Sequence, residues 1–114
     1  MNLLKITYFF VLMLTSVSFL AQQKQTKKEL LEIIEHSEIN ELKIQAYINL
    51  GEYYRQKGNL ALSEQSFDNA ISISKDPLIK ANTLKAIGSF YIDQVTYEKA
   101  LKYRLQELKL RIRL

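Results

Sequence analysis

The chain has 114 residues, with 16 lysines and arginines against 12 acids for a net charge of +4, no cysteine, one histidine, three glycines and one proline. Lacking cysteine, it has no disulfide, no thiol nucleophile, no cysteine-bound metal and no acylated lipid anchor. The charge is too mild to imply nucleic acid by itself, and so little glycine and proline leaves no linker or low-complexity run.

The first stretch, MNLLKITYFFVLMLTSVSFLAQQ, sets Lys5 ahead of an apolar block from Tyr8 to Leu14 and a small-residue zone from Thr15 to Ala21. That order is the order of a secretory signal peptide, assigned to residues 1–21. Cleavage falls after Ala21, an Ala-Gln ending that resembles bacterial export leaders, or after Ser18, where Ser16 and Ser18 satisfy the small-x-small rule. The expected location is periplasmic or secreted. The alternative is a membrane anchor left uncleaved, since residues 6–23 carry no charge. Loss of residues 1–21 removes one cation and leaves 93 residues at +3, one domain's worth.

Residues 22–40 read as a leading helix or cap, with Leu30, Leu31, Ile33 and Ile34 in TKKELLEII and a close near His36. From about Glu41, Leu42, Ala46, Leu50 and Tyr53 recur at steps of four, four and three, which is helical spacing. Lys57-Gly58-Asn59 supplies a stop, because Gly58 can take the left-handed conformation at a helix end. A further helix runs from Leu60 to about Ser74. Asp76 then caps the next one, with Pro77 in its first turn. The expected fold is all-α.

Internal similarity organises these helices. YINLGEYYRQKGNLALSEQSFDNAI, residues 47–71, aligns with LKAIGSFYIDQVTYEKALKYRLQEL, residues 84–108, at a spacing of 37. The alignment pairs Leu50 with Ile87, Gly51 with Gly88, Tyr54 with Tyr91, Leu60 with Tyr97, Ser63 with Ala100 and Ile71 with Leu108. Tyr47, Leu50, Gly51, Tyr54, Phe67 and Ala70 in the first copy, and Ile87, Gly88, Tyr91, Tyr97 and Ala100 in the second, resemble the tetratricopeptide repeat. Ser63, Leu84, Arg104 and Glu107 depart from its pattern. The resemblance covers residues 44–114 and implies antiparallel helix-turn-helix repeats stacked as a short superhelix, about two repeats plus a leading helix. The hairpins fall at about 41–75 and 77–114. The two glycines are expected to let partner helices approach closely, with Tyr54, Tyr91 and Phe67 filling the space between hairpins.

No phosphate loop, nucleophile elbow or paired-histidine motif is present. His36 stands without a second ligand at helical spacing, and Glu29, Glu32, Glu35 and Glu38 read as a solvated face. Neither an enzyme nor a cofactor is expected. The resemblance implies instead a protein or peptide partner held on the concave side, where the first-helix positions that miss the core are Gln45, Asn49, Glu52 and Arg55, with Lys85 and Ser89 in the second copy. The leading functional expectation is an exported protein-interaction scaffold, the N-terminal piece of a longer repeat protein. The alternative is the outer sensory part of a truncated membrane histidine kinase or transcriptional regulator.

The final helix carries two apolar faces. Leu101, Leu105, Leu108 and Ile112 form one stripe, taken as the core side, while Tyr103, Leu110 and Leu114 cluster opposite and are expected to await a following repeat or a second copy of the chain. From Lys99 onward there are six cations and one anion, but few aromatics among them, so nucleic acid is not expected. Membrane contact is expected only if the leader is retained.

Overall fold

A computed structural model describes residues 5–7, 25–92 and 96–113. The leader reading lies almost wholly outside the described residues, as does Leu114. From Lys27 onward the described residues form the helices α1 Lys27–His36, α2 Asn40–Gln56, α3 Leu60–Ile73, α4 Pro77–Ile92 and α5 Tyr97–Arg113, in that order. Among the described residues there is no strand, and no helix is long and apolar enough to cross a membrane.

Local chemistry sets the boundaries. The Thr26 hydroxyl accepts from the Glu29 N–H at 3.2 Å and caps α1. Gly58 has φ 80°, the left-handed turn that ends α2. Asn59 then caps α3 by accepting from the Leu62 N–H at 3.1 Å. Asp76 Oδ1 accepts from the N–H groups of Leu78 and Ile79, at 2.9 and 3.2 Å, so the orphan donors behind Pro77 are met.

Helices α2 and α3 form one antiparallel hairpin and α4 and α5 a second; α1 lies on α2, and the second hairpin rests on both α3 and α2. The main core runs through both hairpins. Ile44 and Ile48 of α2, Phe67 and Ala70 of α3, Leu84, Ile87 and Tyr91 of α4, and Ala100 and Tyr103 of α5 are all buried in it. A smaller cluster of Leu30, Ala46 and Leu50, flanked by Tyr53 and Tyr54, seats α1. Phe67 is the keystone between hairpins: fully buried, it stacks on Phe90 at 5.6 Å and meets Tyr91 edge-on at 5.9 Å. Tyr54, expected beside it, serves the α1–α2 cluster instead, with its ring 5.5 Å from Tyr53.

The serines on α3 are structural. Ser63 donates to the Gly51 carbonyl at 2.7 Å, a bond across the α2–α3 contact that alanine at this position would not make. Ser74 and Thr83 bring their hydroxyls to 3.0 Å across the α3–α4 junction, each also reaching a carbonyl of its own helix. Asn40 ties the start of α2 to the end of α3 by donating to the Ile73 carbonyl at 2.9 Å.

The faces of α5 are the reverse of the expectation. Tyr103 is 2% exposed and Leu110 packs on the core, whereas Leu101, Leu105, Leu108 and Ile112 are 59%, 48%, 54% and 75% exposed. The small residue of the repeat decides this. Ala100 lets α5 approach α4, and residues 100, 103 and 107 then share the inward face at steps of three and four. There Tyr103 stacks on Tyr91 at 5.5 Å. The stripe of leucines, about 100 degrees away from Ala100, is carried outward.

Candidate protein-interaction surfaces

Four of the six expected groove residues come together on α2, where spacings of four, three and three set them along one face. Gln45 donates from Nε2 to Asn49 Oδ1 at 3.0 Å. One turn on, Arg55 grips Glu52 through Nε and Nη2, both at 2.7 Å, and Gln56 donates to the same carboxylate at 3.0 Å. This two-pronged pair is well shielded, with side-chain exposures of 10% for Arg55 and 19% for Glu52. Arg55 also lies 5.6 Å over the Phe90 ring, so the row on α2 is fastened to α4.

The other two residues stand apart. Lys85 and Ser89 are exposed on α4, and the Ser89 hydroxyl donates to the Lys85 carbonyl at 2.9 Å. A turn of helix thus absorbs the hydroxyl that was expected to face a partner.

Where α1 meets α2 there is a pocket of about 180 Å³ lined by Gln25, Leu30, Asn49, Glu52, Tyr53 and Gln56. This is smaller than the roughly 300 Å³ at which small-molecule sites begin, and it suits a side chain or two. Leu30 and Tyr53 give it apolar contact, and the amides and Glu52 give it a polar rim. Gln25, Leu30, Tyr53 and Gln56 are absent from the groove residues expected from sequence. Gln56 was accessible to the same reasoning, lying four residues after Glu52 on one helix face. The α1 contribution was not, because it depends on how α1 crosses α2.

His36 is open to solvent, 3.9 Å from Glu35. Among the described residues no group of three or more histidines, aspartates or glutamates is placed to hold a metal ion. The perturbed groups are tyrosines in the core rather than at a cleft: burial, reinforced by Glu64, raises the Tyr91 hydroxyl above its ordinary value, and burial raises that of Tyr103 further.

Residues 44–77 match the family model of the tetratricopeptide repeat. The match takes in the Gln45 to Arg55 row, the whole of α3 and the first residue of α4. Neither the curated proteins nor the solved structures yield a significant match to the chain.

Proposed function

We propose that this chain, which carries a tetratricopeptide repeat at residues 44–77, is an exported protein-interaction scaffold that holds an extended peptide along the Gln45 to Arg55 face of α2. Scaffolding is the general role of such repeats, and they are typically not catalytic. Export rests on the charge and apolar order of the leader alone.

The observation that carries the peptide reading is the fastened polar row beside a side-chain-sized pocket. Asn49 has its carbonyl oxygen occupied by Gln45, which leaves its NH₂ to donate to a peptide carbonyl. Arg55 and Glu52 neutralise each other, so the row offers hydrogen bonds rather than net charge. The pocket between Leu30 and Tyr53 then accepts one apolar side chain of the ligand. Continuation of the stack beyond the second hairpin, in a longer repeat protein, would extend this face.

Peptide display against the full chain tests the reading. Selected peptides should share an apolar residue, and Asn49→Ala and Tyr53→Ala should each weaken their binding roughly tenfold, about 1.4 kcal/mol, with little change in the binding of peptides selected on other faces. Binders that ignore both substitutions would remove the α2 face as the site.

A further inference from the structure

The outward stripe of α5 has a definite spacing. Leu101, Leu105, Leu108 and Ile112 follow at four, three and four residues, the a/d repeat of a coiled-coil seam. In that register Leu101 and Leu108 are d positions, and Leu105 and Ile112 are a positions. Tyr103 and Leu110 then fall at f, turned into the chain's own core. Glu98 occupies the preceding a position and ends the seam, which is about 16 Å long.

Every flanking position of this seam is a cation. Lys102 and Lys109 stand at e, and Arg104 and Arg111 at g. Lys102 and Lys109 are exposed, whereas Arg104 and Arg111 share Glu107, at 3.4 and 2.7 Å, and keep side-chain exposures of 40% and 36%.

Hairpin packing does not call for these leucines. At the 37-residue spacing their counterparts are Glu64, Asp68 and Ile71 of α3 and Lys75 just beyond it, so the first hairpin keeps a mostly polar surface there. Nor do the other described helices match it. Two copies of α5 would set cation against cation at e and g, which is destabilising. The acids of α1 accompany a single well-exposed leucine, Leu31, and residues 8–24 contain no acid at all.

We infer that the outer face of α5 is a docking strip for an acidic amphipathic helix of a different protein, one with aliphatic residues at its a and d positions and glutamate or aspartate at e and g. Apolar burial along the seam holds the partner, and the four cations select its charge and orientation. The strip lies on a different helix from the α2 face, so the two surfaces can be tested separately.

The test titrates the full chain into two labelled three-heptad peptides with identical leucine seams, one with glutamate at every e and g position and the other with lysine. At physiological salt the glutamate peptide should bind at least roughly tenfold more tightly, an advantage that shrinks in 1 M salt as screening shortens to about 3 Å. Leu105→Asp, at an exposed position, should abolish binding while leaving the helical circular dichroism intact. The double change Lys102→Glu and Lys109→Glu should shift the preference towards the lysine peptide. Equal binding of the two peptides would overturn the inference. So would binding that survives Leu105→Asp, a Leu105-dependent dimer of the chain alone, or Leu105-dependent binding to phosphatidylglycerol vesicles without discrimination between the peptides.

Discussion

The two hairpins are built on one register, yet the same position does different work in each. Phe67 of α3 corresponds to Arg104 of α5, Ala70 to Glu107, and Ser74 to Arg111. In the first hairpin these three residues are buried, closed over by the second hairpin. In the second they form a chain of paired charges, with Arg104 and Arg111 on Glu107 and Arg111 donating to Asn82 of α4 at 2.9 Å. A stacking groove thus becomes a polar network that satisfies itself. The leucines of the second hairpin sit outside that network, on the face that the first hairpin leaves mostly polar. Repetition preserves the backbone arrangement, while the residues at each contact line answer to whatever lies beside them.

Phe67 is where this comparison breaks with the largest effect. Phe67→Ala removes a fully buried ring held between Phe90 and Tyr91 and should cost about 3–5 kcal/mol. Arg104→Ala at the equivalent position loses a long, partly exposed pair with Glu107 and should cost at most about 1 kcal/mol. Urea unfolding of the two variants measures the difference. A comparable loss in both would mean that Arg104 supports the fold as Phe67 does.

The glycines sharpen the same contrast. A Cβ added to Gly51 would run into Cε1, Cδ1 and Cζ of Phe67, a ring that its neighbours prevent from moving aside. At Gly88 the nearest atom is the Tyr103 Cβ at 3.5 Å, an ordinary contact. Gly51→Ala should therefore destabilise through overpacking, by about 1–3 kcal/mol before the gain in helix propensity is set against it. Gly88→Ala carries that propensity gain without the clash and should stabilise by up to about 1 kcal/mol. Thermal melts of the pair give opposite signs if only the first glycine serves a close approach.

Much of this fold was legible from sequence because its signals are local. Gly58, Asp76 and Pro77 act within a residue or two of where they stand, and a period of 37 residues is visible without any structure. The all-α class follows from them. The direction in which α5 faces was not read correctly, because two signals on that helix disagree. The aliphatic stripe of Leu101, Leu105, Leu108 and Ile112 is the stronger in hydrophobicity, but Ala100 sets the closest approach to α4 and turns Tyr103 inward. Four aliphatic residues in a row look the same whether a core or a partner is to cover them. Gly88 misled in the same way: its partner residue at the crossing is Tyr103, and nothing in its own helix shows that the space beside it is ordinary. On α2 the row from Gln45 to Arg55 could be found from spacing alone, whereas the pocket needed the crossing of α1.

Tyr103 offers the finest test. Among the described residues its buried hydroxyl has no hydrogen-bond partner; the Tyr91 hydroxyl influences it without satisfying it. An unmet buried hydroxyl costs stability, so Tyr103→Phe, which keeps the stacking on Tyr91, should be neutral or stabilise by about 1 kcal/mol. The same burial fixes a pH dependence. Burial, then the charge of Tyr91 and of the acids Asp68 and Glu64, holds the folded Tyr103 hydroxyl protonated well past its ordinary range, and Tyr91 is shifted in the same direction. In the unfolded chain both ionise near the ordinary value of about 10. The unfolded state then binds fewer protons than the folded one, so stability is fully present below about pH 9 and falls as pH rises through 10 and towards the folded values. Urea midpoints followed from pH 7 to 11 should fall above pH 10 in the parent, and fall less steeply in Tyr103→Phe, where the Tyr103 contribution is gone. Parallel curves would mean that the Tyr103 hydroxyl finds in solution a partner that the described residues do not provide.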